Sequence, residues 1–159
     1  MKLSSLNEWL TLAANIGVLA GIIFLGIEMQ QNTEMMRAQT RQAVTGNSNA
    51  VNSIVGGDLM VASTVIEGFR GDFEPMDPGE VLLVNSIFTM NLRNAENELY
   101  QHEIGLLDDD EYLPRLAWLK TNLAFPGPRR IWERTREHYT SDFQIVVDEI
   151  IDEVAEIQD

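Results

Sequence analysis

The sequence predicts an all-α fold in which a single N-terminal transmembrane helix continues into an antiparallel helical bundle. Three observations predict it. The stretch from Leu10 to Ile27 carries no charged residue, and Asn15 is its most polar side chain. Beyond that stretch, apolar residues recur at spacings of three and four rather than two, the repeat of a helix and not of a strand. The third observation is punctuation: Asp, Ser, Pro and Gly stand where helices start and stop, as in Asp77-Pro78-Gly79-Glu80 and Ser141-Asp142-Phe143-Gln144.

The first helix sets the division of the chain. At a rise of about 1.5 Å per residue, Trp9 to Ile27 spans roughly 28 Å, close to the thickness of a bilayer's hydrocarbon core. Ser5-Leu6-Asn7-Glu8 has the spacing of a capping box, which would start the helix just before Trp9, an aromatic suited to the membrane interface. A cleaved signal would have a more basic start, a shorter apolar run and small residues at its cleavage site. Here only Lys2 precedes the run and Glu28-Met29-Gln30 follows it, so residues 1–28 are expected to stay as a membrane anchor. Ala13, Gly17 and Gly21 recur every four residues and form a smooth groove, the expected helix-helix interface in the membrane, with Asn15 close by to bridge helices.

Residues 29–159 form the expected acidic helical domain. From residue 28 on there are 10 Arg plus Lys against 24 Asp plus Glu, which accounts for the whole formal charge of −14. So negative a body repels nucleic acid. With no cysteine, disulfides, thiolate metal sites and cysteine nucleophiles are excluded.

The first helix is expected to run on past the anchor with a thin heptad seam of Met29, Met36, Ala43 and Ala50, until Gly56-Gly57-Asp58 breaks it and caps a short helix over 59–69. The loop "RGDFEPMDPGE" follows; its Arg70-Gly71-Asp72 spells an adhesion tripeptide that three residues match by chance. Asp77 then opens a long helix whose apolar face is Val81, Val84, Phe88, Leu92, Ala95 and Leu99, ending near Gly105. Asp108 to Glu111 starts another, with Leu113, Leu116, Leu119 and Leu123 facing the core, and Phe125-Pro126-Gly127-Pro128 stops it. After the short run "RRIWERTREHY", the last helix turns Phe143, Val147, Ile150, Val154 and Ile157 inward and a solvated face of Asp148, Glu149, Asp152, Glu153 and Glu156 outward.

Two polar concentrations are candidate functional residues. On the long helix, Arg93, Glu96, Asn97 and Tyr100 stand at i, i+3, i+4 and i+7, a stripe beside the apolar face, with Asn91, Asn94, Glu98 and Gln101 assigned to the outer side. The segment "PGPRRIWERTREHY" gathers Arg129, Arg130, Arg134 and Arg136, whose natural partners are acids of the same chain, while Trp132 and Tyr139 pack inward. The expected polar network is therefore Arg93, Glu96, Asn97, Tyr100, Arg130, Trp132 and Tyr139. Arg93 and Glu96 should sit in it partly buried, so that losing Arg93 costs more stability than losing Arg115.

Metal, cofactor and enzyme motifs are absent from the sequence. A di-iron bundle wants Glu-x-x-His on two helices, but Glu98 and Glu96 precede His102 by four and six residues, and Thr135 stands three before His138. Nucleophile elbows, phosphate loops and dinucleotide fingerprints are missing too. No cofactor or metal is expected, and a binding protein is expected rather than an enzyme.

The runs "NIGVLAGIIFLGIEMQQNTEMMRAQ", "NLRNAENELYQHEIGLLD" and "PGPRRIWERTREHYTSDFQIVVDEII" resemble a family of small uncharacterised bacterial proteins with an N-terminal span and a helical domain. The similarity covers nearly the whole chain. It rests on Asn32, Asn91, Arg93, Glu96, Asn97, Tyr100, Gly105, Arg130, Trp132, Tyr139 and Phe143. The resemblance implies one membrane-anchored unit in a bacterial inner membrane and transfers no mechanism. Arg37 and Arg41 after the span, against Lys2 before it, favour a cytoplasmic C-terminal domain. Expected partners are membrane lipid and either a second copy or another membrane protein. The alternative is a ligand-sensing bundle, with its pocket between the Arg93/Glu96/Tyr100 stripe and the segment Arg129 to Tyr139.

Overall fold

The computed structural model of the protein describes residues 3–71 and 73–158, and the side chains of residues 6–71 and 73–156. The fold is all-α. Among the described residues six α-helices follow in order: α1 (Leu3–Gly56), α2 (Leu59–Arg70), α3 (Pro78–Glu103), α4 (Asp109–Leu123), α5 (Pro126–Thr135) and α6 (Ser141–Gln158), with a 3-10 turn at Arg136–His138. Among the described residues there is no strand. The chain divides into two compact units, Met1–Gln39 and Thr40–Asp159.

The first unit is the N-terminal part of α1. The helix is already formed at Leu3, so Ser5 lies inside it rather than at its cap; Leu3, Leu6 and Leu10 keep the apolar period running through that position. The Ser5 side chain itself lies outside the described residues. The most apolar 18-residue window has a mean hydropathy of 2.2 and no buried side chain, which makes this one helix long and apolar enough to cross a membrane. A Cβ added at Gly17 or Gly21 would meet nothing within 4 Å, so the small-residue face is open.

In the second unit, the last turns of α1 bury Val44 and Val51, with Ser48 and Val55 half-buried. The expected seam is off by one residue: Ala43 and Ala50 are exposed, as is Met36 in the first unit. The sevenfold spacing holds, but the larger apolar surface of valine wins the inward position over alanine. At Asp58 the chain caps α2, its carboxylate accepting from the Met60 amide at 2.8 Å, and α2 closes on Gly71 at φ 77°.

Asp77 opens α3 with a complete capping box: its Oδ1 accepts from the amides of Gly79 and Glu80 at 2.7 and 2.9 Å, while Glu80 Oε2 accepts from the Asp77 amide at 3.0 Å. Val84, Phe88, Leu92 and Leu99 of the expected face are buried. On α4 the buried line is Tyr112, Leu119 and Leu123 with Leu116 half-buried, whereas Leu113 is 56% exposed. One residue is about 100° of helix turn, enough to rotate Leu113 off the face that Tyr112 occupies. Phe143, Val147, Ile150 and Val154 of α6 are buried, each contributing about 1.5–3 kcal/mol. The Ile157 side chain lies outside the described residues.

Three glycines let α2 pack closely on α3 and α5. A Cβ on Gly68 would lie 2.4 Å from Val84 Cγ1, and one on Gly127 would lie 1.8 Å from the Gly68 carbonyl oxygen. Gly71, in the left-handed region, stands over the Gly127 amide. The two backbones approach as closely as they do because no side chain separates them.

Candidate ligand pocket and the polar groups of α3

The long helix α3 carries two polar stripes, one on each flank of its apolar face. Arg93, Glu96, Asn97 and Tyr100 form the first; Asn91, Asn94 and Glu98, at i, i+3 and i+7, form the second. The sequence reading placed the second stripe outside. In the structure Glu98 is 7% exposed, and its Oε1 accepts from Arg115 Nη1 at 3.0 Å.

The first stripe meets the Arg129 to Tyr139 segment by direct contact. Arg93 Nη1 donates to Glu96 Oε2 at 2.8 Å, and the guanidinium lies 4.4 Å from the centre of the Tyr139 ring. Glu96 Oε1 accepts from the Thr140 amide at 2.7 Å. Burial works against the Glu96 charge, but that amide and Arg93 together hold its carboxyl below the ordinary value. Burial pushes the Tyr139 phenol up, with Arg93 opposing.

Tyr100 stands apart from this group, 55% exposed and with no side-chain hydrogen bond among the described residues. It shares Arg93's side of the helix, but lies about two turns, roughly 10 Å, further along, beyond the reach of Tyr139. Asn97 is exposed and accepts from Gln101 at 3.5 Å. Arg130 is on the other side of α5, its Nη1 donating to the Gly71 carbonyl at 3.5 Å and its guanidinium 5.5 Å from the Phe73 ring. Arg93 itself is 49% exposed, more than the 29% of Arg115. By exposure Arg115 is the more buried of the two arginines, which argues for the larger loss there rather than at Arg93.

Trp132 belongs to a different set of polar bonds. Its indole Nε1 donates to Asp148 Oδ1 at 3.0 Å, and Arg136 donates to Asp148 Oδ2 through Nε at 2.9 Å and Nη2 at 2.6 Å. Periodicity puts Asp148 on the solvated face; in the structure it is half-buried, because the aromatic group of Trp132, Tyr139 and Phe143 brings its donors there. The Arg136 hydrogen bonds, with Trp132's, hold the Asp148 carboxyl below its ordinary value against burial. A depressed carboxyl contributes stability that is present above the unfolded value and lost as pH falls through the folded one. Asp148→Asn is expected to melt earlier in urea at pH 7 and to close its gap with wild type as acidification protonates the Asp148 carboxyl of the folded wild type; a gap that stays constant with pH would assign the effect to packing.

The second stripe lines an open-sided cavity of about 380 Å³ between the end of α1, α3 and α4. Its walls include Ser48 and Asn52 from α1, Asn91, Asn94 and Glu98 from α3, and Glu111, Arg115 and Trp118 from α4. Burial raises the Glu98 carboxyl above its ordinary value, and the Arg115 guanidinium pulls it back only in part. Arg41 forms an ion pair with Glu111. Among the described residues no group of three or more His, Asp or Glu side chains is placed to hold a metal ion. The chain matches no family model, and neither a curated protein nor a solved structure is significantly similar to it. Ser48, Asn52 and Trp118 lay outside the sequence reading; the one signal for this site was the repeated spacing of Asn91, Asn94 and Glu98.

Proposed function

We propose that the chain is a single-pass membrane protein, held by Leu10 to Ile27, whose acidic helical domain acts through contacts with other proteins, a second copy of itself first. The observation that carries this reading is the uncharged run itself. Trp9, Ile22 and Phe24 are 67%, 61% and 60% exposed, and no packing within the chain covers the window around them. Lipid is the surrounding that removes such a surface from water.

The open face of Ala13, Gly17 and Gly21 supports close approach of a second span. On α2, Leu59, Met60 and Ile66 are exposed beside an apolar groove of about 420 Å³ lined by Val55, Val65, Phe69 and Phe125, which supports a protein contact there. Arg37 and Arg41 support a cytoplasmic domain, and the resemblance to small bacterial proteins supports an inner membrane. The excess of carboxylates argues against a nucleic-acid partner.

An assay of span association in a bacterial membrane tests the reading. Gly17→Ile combined with Gly21→Ile should lower the signal of the full-length chain several-fold, because branched side chains hold the backbones apart. An undiminished signal would remove the span from the interface.

A further inference from the structure

We infer that the cavity between the end of α1, α3 and α4 is a binding site for a small neutral polyhydroxyl compound of about monosaccharide size. Its volume of about 380 Å³ is within the roughly 300–1,000 Å³ range of small-ligand sites. The site is built wholly from residues of the second unit, so it holds whatever the span associates with.

Charge selects against ions. The two carboxylates on the wall each have an arginine partner, Glu98 with Arg115 at 3.0 Å and Glu111 with Arg41. An anion would meet Glu98 and Glu111 with no uncommitted guanidinium to receive it, and a cation would find both carboxylates already paired. What remains available is neutral. Asn52, Asn91 and Asn94 line the cavity, and none of their carboxamides hydrogen-bonds within the protein among the described residues. Each offers both a donor and an acceptor, the complement of a hydroxyl, which also does both.

The apolar part of the wall has a matching shape. Trp118, 49% exposed, lies at the cavity with Val51, Ala95 and Pro114. A sugar or cyclitol ring has a C–H face that packs on an indole while its rim of hydroxyls reaches the amides. Glu98 and Arg115, bonded to each other, stay fixed in the wall and leave the hydroxyl contacts to the carboxamides.

The test uses full-length protein in lipid nanodiscs, free of sugar-based detergent, titrated with glucose, N-acetylglucosamine and myo-inositol, and with glucosamine and glucuronate as charged counterparts. At least one neutral compound should bind saturably at millimolar concentration or below. Asn94→Ala and Trp118→Ala should each weaken it by about tenfold, and Asn94→Ala, which removes no side-chain hydrogen bond of the described residues, should leave the melting temperature in place. Failure of all three neutral compounds to bind, binding that both variants leave unchanged, or tighter binding of a charged counterpart would overturn the inference.

Discussion

Gly127→Ala is expected to cost about 3 kcal/mol or more and to leave the helical domain partly unfolded at growth temperature. The added methyl would stand 1.8 Å from the Gly68 carbonyl oxygen, 2.8 Å from its carbon and 3.0 Å from the Phe69 carbonyl oxygen. All three atoms are backbone, so no side chain can rotate away; α2 and α5 must separate. Separation uncovers Ile131 and Val84, which are 2% and 0% exposed. Gly68→Ala meets Val84 side-chain atoms at 2.4 and 2.8 Å and should cost somewhat less. Gly46→Ala, in the interior of α1 with nothing within 4 Å, should instead stabilise by about 0.5–1 kcal/mol through helix propensity. Chemical denaturation of the three variants reads the contrast directly; equal effects at Gly127 and Gly46 would mean that α2 and α5 do not approach as described.

Arg115→Ala is the second large effect, at about 3 kcal/mol near neutral pH, the low end for stranding one member of a buried ion pair. It leaves Glu98, with 10% of its side chain exposed, without its guanidinium. Burial already raises the Glu98 carboxyl, and removing Arg115 takes away the group that opposes that rise. A carboxyl raised in the folded state favours folding in its protonated form, so the variant's stability should be greatest below the unfolded value and fall as pH rises through the folded one. The deficit should therefore shrink on acidification, and Arg115→Ala with Glu98→Gln should recover much of it. Arg93→Ala removes a half-exposed guanidinium and leaves Glu96, 16% exposed, still bonded to the Thr140 amide, so it should cost less, about 1 kcal/mol. Urea melts at pH 7 and pH 5 distinguish the cases; an Arg93→Ala loss equal to that of Arg115→Ala would restore the opposite ranking.

What the sequence revealed and what it hid divide along range. Local signals were legible: the Asp77 capping box, the Gly56-Gly57-Asp58 break, the glycine near residue 105 and the apolar line from Val84 to Leu99 all act within a turn or two of chain, where spacing alone determines the geometry. Glu98 was misplaced because its partner stands seventeen residues away on another helix. A glutamate without a visible partner reads as solvated, and periodicity cannot say which neighbour will supply one. Asp148 was missed for the same reason, its donors coming from Trp132 and Arg136 on the preceding segment. Gly127 was read as helix punctuation between two prolines; its other role, letting a carbonyl of α2 come close, exists only once the helices are packed. The Met36, Ala43 and Ala50 seam shows how little separates registers: with alanine and valine adjacent, a repeat of seven fits both lines, and side-chain size decides.

The central claim, that Leu10 to Ile27 anchors the chain in a bilayer, is tested most directly by alkaline carbonate extraction of membranes from cells expressing the full-length protein. An uncharged 18-residue run of that hydropathy is costly to return to water, so the protein should remain in the pellet after carbonate and leave it only with detergent. Release into the carbonate supernatant, or recovery from the soluble fraction before any extraction, would contradict it.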